Sequence, residues 1–291
     1  MRSIYALGLA ALFCATSVFA QTPAYKYVVR GDTVPDVPFA AWESKDSLGT
    51  AWHLVSGAEV ATAPKTATRY TVKTVRWPTG TVSVLTFPKA GGGVLYALAG
   101  ETEFYVLKGA VKATVGDETL DLKAGDVARE PRGVLRNAGP AEDTVLVAWD
   151  VTSLDGKIGP AVVRAKDAKT VPSWQWQQDG KTIRAATVED TKKAPPDAVR
   201  LTVTRYEFPG NSIRVANMDA AVHPTAPAQV PMDSLIYLTS GHVRFHQGGE
   251  VVELHGGDFI REDASQSQVW EHLEKSSFVT TSALAEGAGR R

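Results

Sequence analysis

The chain contains 291 residues with 31 basic and 32 acidic side chains, so its formal net charge is only −1. No basic stripe accompanies this balance, which argues against a nucleic-acid-binding protein. The single cysteine, Cys14, excludes a disulfide framework. About 270 residues follow the amino-terminal segment, enough for one large or two ordinary domains.

The first twenty residues have the pattern of a secretory signal peptide. Arg2 supplies a basic start, residues 4–15 form an apolar run, and small residues precede a cleavage point after Ala20. The run is interrupted too early for a membrane anchor, which needs roughly 18 continuous apolar residues. We therefore expect a cysteine-free mature chain that is periplasmic or secreted, with no membrane contact after cleavage. A lipid anchor on Cys14 is the alternative, although the large Phe13 precedes it.

Short strands dominate the rest of the first half. Segments rich in Val, Thr, Leu and aromatic residues predict strands at 71–76, 81–87, 104–107, 111–115 and 145–149. Turn residues separate them, at Pro78-Thr79-Gly80, Lys108-Gly109, Gly116-Asp117, Gly125-Asp126 and Pro131-Arg132-Gly133. No long amphipathic helix stands out. The pattern predicts an all-β small barrel or sandwich.

The second half repeats the first at a nearly constant offset. Landmarks that recur 131 or 132 residues later include Trp77-Pro78 as Phe208-Pro209, Gly109 as Gly241, and Gly125-Asp126 as Gly257-Asp258. Agreement between separate landmarks predicts a duplicated unit. We expect a first domain at 21–165, with its barrel core at about 69–152, and a second at 166–291, with its core at about 200–283.

The order of these landmarks resembles the cupin family. Its first motif ends in a strand of the type acidic-x-x-Tyr-Val-Leu-x-Gly, to which residues 101–109 are similar and of which residues 233–241 are a looser version. Its second motif begins Gly-Asp and carries Pro-x-Gly, as residues 125–133 do, whereas Asp263 and Ser265 replace that Pro and Gly in the second copy. The resemblance implies two tandem cupin barrels of the double-stranded β-helix, or jelly-roll, type: a bicupin after a signal peptide.

The resemblance also implies a metal site, and this sequence departs from its ligands. Typical cupins hold a metal with a His-x-His pair, a Glu and a further His, a set that suits divalent transition metals. In the first half no histidine stands in residues 91–98, and the last ligand position is Arg136. Arginine stays protonated and cannot bind a metal. We therefore expect no resident metal in the first barrel.

In the second half the ligand positions hold other polar residues. By the same resemblance Gln229, Asp233 and Gln268 fall on ligand positions, and His272 lies four residues beyond the last. Strand alternation puts Gln268, Trp270 and His272 on one face, which the resemblance makes the barrel interior. Three interpretations stay open: a polar organic ligand, packing alone, or a divalent transition metal held by Gln229, Asp233, Gln268 and His272.

Arg136 is the main ligand-binding candidate of the first barrel. An arginine that faces the barrel interior needs an anion, which Glu101, Glu103 or the carboxylate of a ligand would supply. Tyr105 would line the same cavity. The sequence leaves open whether the anion is internal or belongs to a ligand.

Two further features near the second barrel are ambiguous. The segment 174–178 alternates tryptophan with glutamine, which is typical of a sugar-stacking surface but also of packing against a barrel. His223 precedes Gln229 by six residues and is close enough in sequence to reach the same site.

The sequence leaves three functions open. The first is an exported bicupin that binds a small polar or acidic molecule, with no cofactor and no cupin metal. The alternative is a cupin enzyme, either an isomerase, cyclase or lyase, or a metal-dependent oxygenase or decarboxylase that uses the second barrel. The third is a purely structural pair of barrels in a homo-oligomer.

Overall fold

The structure, a computed structural model, describes residues 26–46, 49–89, 94–98, 101–115, 118–130, 133–140, 142–151, 161–208, 211–221 and 223–282. Their regular secondary structure is almost entirely β-strand, which confirms the predicted all-β class. The predicted signal peptide lies outside the described residues. Within these ranges no helix has the length and apolar character needed to cross a membrane.

Strands β1 to β13 lie, in chain order, at Val28–Val29, Val37–Asp46, Gly49–Ser56, Thr68–Trp77, Gly80–Phe87, Val94–Leu98, Glu101–Lys108, Ala110–Val115, Glu118–Lys123, Val127–Glu130, Gly133–Pro140, Thr144–Val151 and Ala161–Val163. Strands β14 to β24 lie at Lys169–Pro172, Trp174–Gln178, Lys181–Ala185, Leu201–Phe208, Asn211–Met218, Ser234–Ser240, His242–Gln247, Glu250–His255, Phe259–Glu262, Gln268–His272 and Ser276–Ser282. Short 3₁₀ helices occupy Gly57–Thr62 and Ala165–Asp167, and the helix α1 spans Val188–Thr191.

Each half forms a large sheet that faces a small one. The large sheets have the strand orders β13-β10-β7-β12-β5-β4-β2-β3 and β1-β22-β19-β24-β18-β17-β14. The small sheets have the orders β6-β11-β8-β9 and β21-β20-β23, and β15 and β16 form a separate two-stranded sheet. Seven strands of each large sheet and three of each small sheet correspond in order, as a duplicated unit requires, whereas β3 and β6 have no counterpart among the described strands of the second half. Separate apolar clusters fill the two barrels, each with side chains from both of its sheets.

The two barrels exchange their first strands. The amino-terminal β1 pairs antiparallel with β22 of the second barrel, with Val29 opposite Phe259. Reciprocally β13, which precedes the second half, pairs with β10 of the first barrel, with Val163 opposite Val127. The pairing of Val28–Val29 with β22 therefore crosses the domain boundary that the sequence predicts at residue 165. Each barrel is completed by a strand that precedes the other repeat.

The outer faces of the two large sheets pack against each other through a third apolar cluster, which includes Trp77, Val82, Trp149, Tyr206, Ile213, Leu235 and Phe259. The indole N–H of Trp149 donates a buried hydrogen bond to the Leu235 carbonyl across this interface, at 3.1 Å. At the repeat-related position, the Thr281 hydroxyl donates to the Glu103 carboxylate at 3.0 Å. Trp149 and Thr281 occupy equivalent positions of the two repeats, and so do Leu235 and Glu103. The same pair of positions therefore meets twice across the interface, as in a two-fold related interface.

The glycines that mark the repeat occupy backbone positions that exclude a side chain. Gly109 has φ +80, and a Cβ there would lie 2.5 Å from the Asp143 carbonyl oxygen. Gly241 has φ +90 and meets the Lys275 carbonyl in the same way. A left-handed turn against backbone tolerates glycine alone, so both repeats retain it.

Candidate functional site

The inward face of β23 carries three polar or aromatic side chains. Gln268, Trp270 and His272 alternate with partly exposed Val269 and Glu271, as expected for a strand with one buried face. Gln268 is 2% and His272 1% exposed. The predicted shared face is therefore observed, and it is the interior of the second barrel.

These side chains line a cavity of about 160 Å³, here called the barrel cavity. The remaining lining is mostly apolar and comes from β17 and the loop before it, β18, β22, β24, the segment 225–230 and the start of the hairpin β15–β16: Ser173, Gln175, Val199, Leu201, Met218, Thr225, Ala226, Ala228, Val230, Glu262 and Phe278. A small apolar cavity with a few polar groups is the usual form of a site for an organic molecule.

Two buried polar atoms at this cavity have no hydrogen-bond partner among the described residues: Oε1 of Gln268 and Nε2 of His272. The Gln268 amide nitrogen is fixed by the carbonyls of Asp263 and Gln266, each at 2.8 Å, and by Oε1 of Gln247 at 3.0 Å. These contacts orient the amide and leave its oxygen as a free acceptor. An unpaired buried polar atom costs about 1–3 kcal/mol, so a ligand that pairs with it recovers that free energy.

His272 is a neutral imidazole. Its burial lowers the pKa to about 4, because a charged ring would lose its hydration. The other ring nitrogen, Nδ1, lies 3.4 Å from the Ser276 hydroxyl. Near neutral pH the unpaired Nε2 is therefore available to accept or donate a hydrogen bond, according to the tautomer.

Glu262 is a cavity residue that sequence reasoning missed. The Trp270 indole N–H donates to its carboxyl at 3.0 Å. Burial raises the pKa of Glu262, although hydrogen bonds from Trp270 and Ser234 and the charge of Arg214 oppose the rise. The available signal was alternation along β22, where inward Ile260 is followed two residues later by Glu262.

Comparisons with known proteins agree with this architecture. The sequence model of the cupin domain family (Cupin_2) matches residues 84–152, inside the first barrel. Residues 84–152 therefore resemble a cupin domain in sequence. Among solved structures the chain is similar to AerE from Microcystis aeruginosa, with a TM-score of 0.55, 9% identity, and coverage of 84% of this chain and 99% of that one.

Two other solved cupin-fold neighbours have similar scores. Protein Ylba from E. coli has a TM-score of 0.51 and 14% identity over 74% of this chain and 83% of that one. A variant of oxalate decarboxylase from Bacillus subtilis has a TM-score of 0.50 and 12% identity over 74% and 73%. A search of curated proteins returned no match. At these identities the neighbours establish the cupin fold alone.

The four residues predicted as an alternative metal set do not come together around the barrel cavity. Gln229 is exposed, and its amide donates to the Ala264 carbonyl. Asp233 binds the Arg261 guanidinium at 2.7 Å and accepts the Ala264 N–H at 2.9 Å. Neither residue lines the barrel cavity with Gln268 and His272.

The physical reason is strand parity. Ser234 and Ile236 face inward along β19, so Asp233 faces outward. The described part of the chain contains no group of three or more His, Cys, Asp or Glu side chains placed to hold a metal ion. The residues therefore do not fit the metal centre that the cupin fold implies.

The first barrel places its predicted residues differently from expectation. Phe104 belongs to the apolar interior, so its neighbours Glu103 and Tyr105 face outward, towards the second barrel. Glu103 is fully buried there and accepts hydrogen bonds from Asn211 and Thr281, each at 3.0 Å.

The other contacts on the outward face of β7 also join side chains of the protein to one another. The Arg129 guanidinium lies 4.0 Å from the Glu103 carboxylate. Tyr105 packs edge-on against Tyr206 with ring centroids 6.0 Å apart, and burial raises the pKa of the Tyr105 hydroxyl. The side chains of Glu101 and Arg136 lie outside the described residues, so their roles stay predictions.

Proposed function

We propose that the second barrel binds a small uncharged organic molecule, about the size of one six-membered ring, that carries a hydrogen-bond donor. The observation that carries the proposal is the pair of unpartnered polar atoms, Gln268 Oε1 and His272 Nε2, on residues that line one cavity. The cavity volume of about 160 Å³ matches a single ring, since an engineered protein cavity of about 150 Å³ accommodates benzene.

The electrostatics of the barrel cavity favour a neutral ligand over an acidic one. Burial lowers the pKa of His272 and raises that of Glu262, so the site disfavours charge on both residues. A ligand carboxylate would meet the same low-polarity surroundings and the acceptor oxygen of Gln268. The possibility of an acidic ligand is thus left to Arg136 in the first barrel.

Export is part of this proposal and rests on residues 1–20 alone. A binder located outside the cytoplasm would take up its ligand from the periplasm or the medium.

A second candidate function, metal-free acid–base catalysis, is favoured by one observation. Glu262 and His272 line the same cavity. Burial raises the pKa of the Glu262 carboxyl, which favours its protonated form, and lowers the pKa of the His272 imidazole, which favours its neutral form. Paired groups of this kind are typical of general acid–base sites. Such a site would suit the isomerase or lyase alternative, and turnover of a bound probe would distinguish it from binding.

Binding is tested by calorimetric titration of the mature chain with 4-methoxyphenol, a neutral ring with one hydroxyl donor. We expect Gln268→Leu and His272→Phe to weaken binding at least about tenfold. The matched control Gln229→Leu, at an exposed glutamine outside the cavity, should retain wild-type affinity. Absence of binding to the wild-type protein, or equal affinity in all four proteins, refutes the proposed site.

A further inference from the structure

A second cavity adjoins the barrel cavity on its outer side. It has a volume of about 210 Å³ and lies between the hairpin β15–β16 and the segment 223–226. We call it the outer cavity, and it is lined by Gln175, Trp176, Gln177, Thr182, Asp197, Val199, His223, Pro224 and Ala226. Three of these residues, Gln175, Val199 and Ala226, also line the barrel cavity.

The three shared residues border both cavities and are linked by hydrogen bonds. We call this set the collar. Gln175 and Val199 exchange backbone hydrogen bonds, at 3.0 Å and 2.8 Å. The Gln175 side-chain oxygen accepts the Ala226 N–H at 3.3 Å. The hairpin is therefore tied to the barrel at the collar, and the outer cavity has a defined position relative to the inner one.

The two cavities together have room for a ligand larger than the single ring that fits the barrel cavity. Ligand pockets in proteins usually begin at roughly 300 Å³. Neither the barrel cavity, at about 160 Å³, nor the outer cavity, at about 210 Å³, reaches this value alone, whereas the two together exceed it.

The outer cavity differs from the inner one in chemistry. Trp176 supplies a half-buried aromatic surface. The Gln177 amide donates to the Thr182 hydroxyl at 2.9 Å. The imidazole of His223 lies 3.5 Å from the Asp197 carboxylate, and both of these side chains are mostly exposed. An aromatic plane bordered by amide, carboxylate and imidazole groups suits a sugar ring, which presents a C–H face for stacking and hydroxyls for hydrogen bonds.

We propose that the ligand of the second barrel is a glycoside, with a hydroxyl-bearing ring in the barrel cavity and its sugar in the outer cavity against Trp176. This inference rests on the proposed function and extends it to a ligand class. Trp176 and Asp197 are then specificity residues, and the hairpin β15–β16 is a binding element of this protein.

The experiment compares two probes that share one phenol ring. In 4-hydroxyphenyl β-D-glucopyranoside a glucosyl group replaces the methyl group of 4-methoxyphenol on the same oxygen. We expect calorimetric titration of the mature chain to show about tenfold tighter binding of the glucoside. Trp176→Ala should remove this preference and leave the affinity for 4-methoxyphenol unchanged.

Two further variants distinguish loss of the sugar contact from a general loss of stability. Asp197→Asn, at an exposed position, should weaken the glucoside several-fold without affecting 4-methoxyphenol. Trp42→Ala removes a partly buried tryptophan far from both cavities, where it stacks on His53, and should preserve the glucoside preference.

The outcomes separate the two proposals. Equal affinity of the wild-type protein for both probes, or an unchanged glucoside preference in Trp176→Ala and Asp197→Asn, overturns the outer sugar site while the barrel cavity stands. Failure of both probes to bind overturns the proposed function as well.

Discussion

Arg30 lies 3.4 Å from the carboxylate of Asp258, where the strand that precedes the first repeat joins the barrel of the second. The same carboxylate accepts the Gly31 N–H at 2.8 Å. The repeat-related contacts are equally direct, since Asp126 binds Arg164 and the Ala165 N–H, both at 2.9 Å. The aspartate of the Gly-Asp landmark therefore anchors the exchanged strand in both barrels.

We expect the Asp126 anchor to be sensitive to pH. Burial alone would raise the pKa of Asp126, but N–H groups of Ala165 and Lys123 and the Arg164 guanidinium lower it below the ordinary value. A lowered folded-state pKa means that the carboxylate stabilises the protein above the unfolded-state pKa of about 3.9. This contribution is lost as pH falls through the folded value.

Urea denaturation of Asp126→Asn measures this contribution. At pH 7 the free energy of unfolding should fall by about 1–3 kcal/mol, and the difference from wild type should shrink below about pH 4. Asp121→Asn, at an exposed carboxylate, is the control and should differ little at any pH. A pH-independent difference for Asp126→Asn would contradict the role assigned to its charge.

Glu103 should act as an interface residue and not as a ligand-binding one. Glu103→Ala leaves Asn211, Thr281 and Arg129 without the buried carboxylate, and we expect a loss of about 3–5 kcal/mol in unfolding free energy. Glu103→Gln retains an acceptor oxygen and should cost less. Chemical denaturation gives both values, with Glu207→Ala at an exposed position as control. Weaker binding of 4-methoxyphenol by folded Glu103→Gln would place Glu103 in the binding site after all.

Glu262 should destabilise the fold as pH rises. Its pKa is raised by burial, so the folded protein holds the proton more tightly than the unfolded chain does. The contribution of the neutral acid is complete below the unfolded-state pKa of about 4.3 and is lost as pH rises towards the folded value. Glu262→Gln, which stays neutral, should therefore gain stability relative to wild type as the pH rises above the unfolded-state pKa of about 4.3.

Thermal unfolding across this pH range checks the direction. Glu207→Gln, at an exposed position of β17, serves as the matched control. A constant difference between wild type and Glu262→Gln from acid to neutral pH would mean that the carboxyl titrates normally.

Metal removal should leave the second barrel intact. Gln229 and Asp233 do not reach the cavity, so we expect dialysis against EDTA to change neither the melting temperature nor the affinity for 4-methoxyphenol. Elemental analysis before and after dialysis provides the measurement. Stoichiometric iron, manganese, nickel or zinc that disappears in His272→Ala would restore the metal-dependent alternative.

Asp233→Asn separates metal binding from structure. It should lower the unfolding free energy through its partner Arg261, by about 1–3 kcal/mol, without changing metal content. Arg205→Gln, at an exposed arginine of β17, controls for the general effect of removing a surface charge.

Local periodicity predicted one part of the site and misplaced another. The alternation of Gln268, Trp270 and His272 identified an inward face because buried and exposed positions differ along β23. The same logic failed for Glu103, because both faces of β7 are buried, one in its own barrel and one against the other. When both faces of a strand are buried, polar and apolar residues no longer alternate along it. The sequence pattern then does not show which face points into the barrel.

The sequence by itself determined the all-β class, the duplication and the cupin resemblance, because glycines at left-handed turns and strand periodicity are local requirements. Tertiary structure alone decided the exchange of β1 and β13, the outward direction of Asp233, and the meeting of Glu262 with Trp270. Each of these depends on which distant strands pair and which sheet faces meet, and such contacts join residues that no local pattern relates.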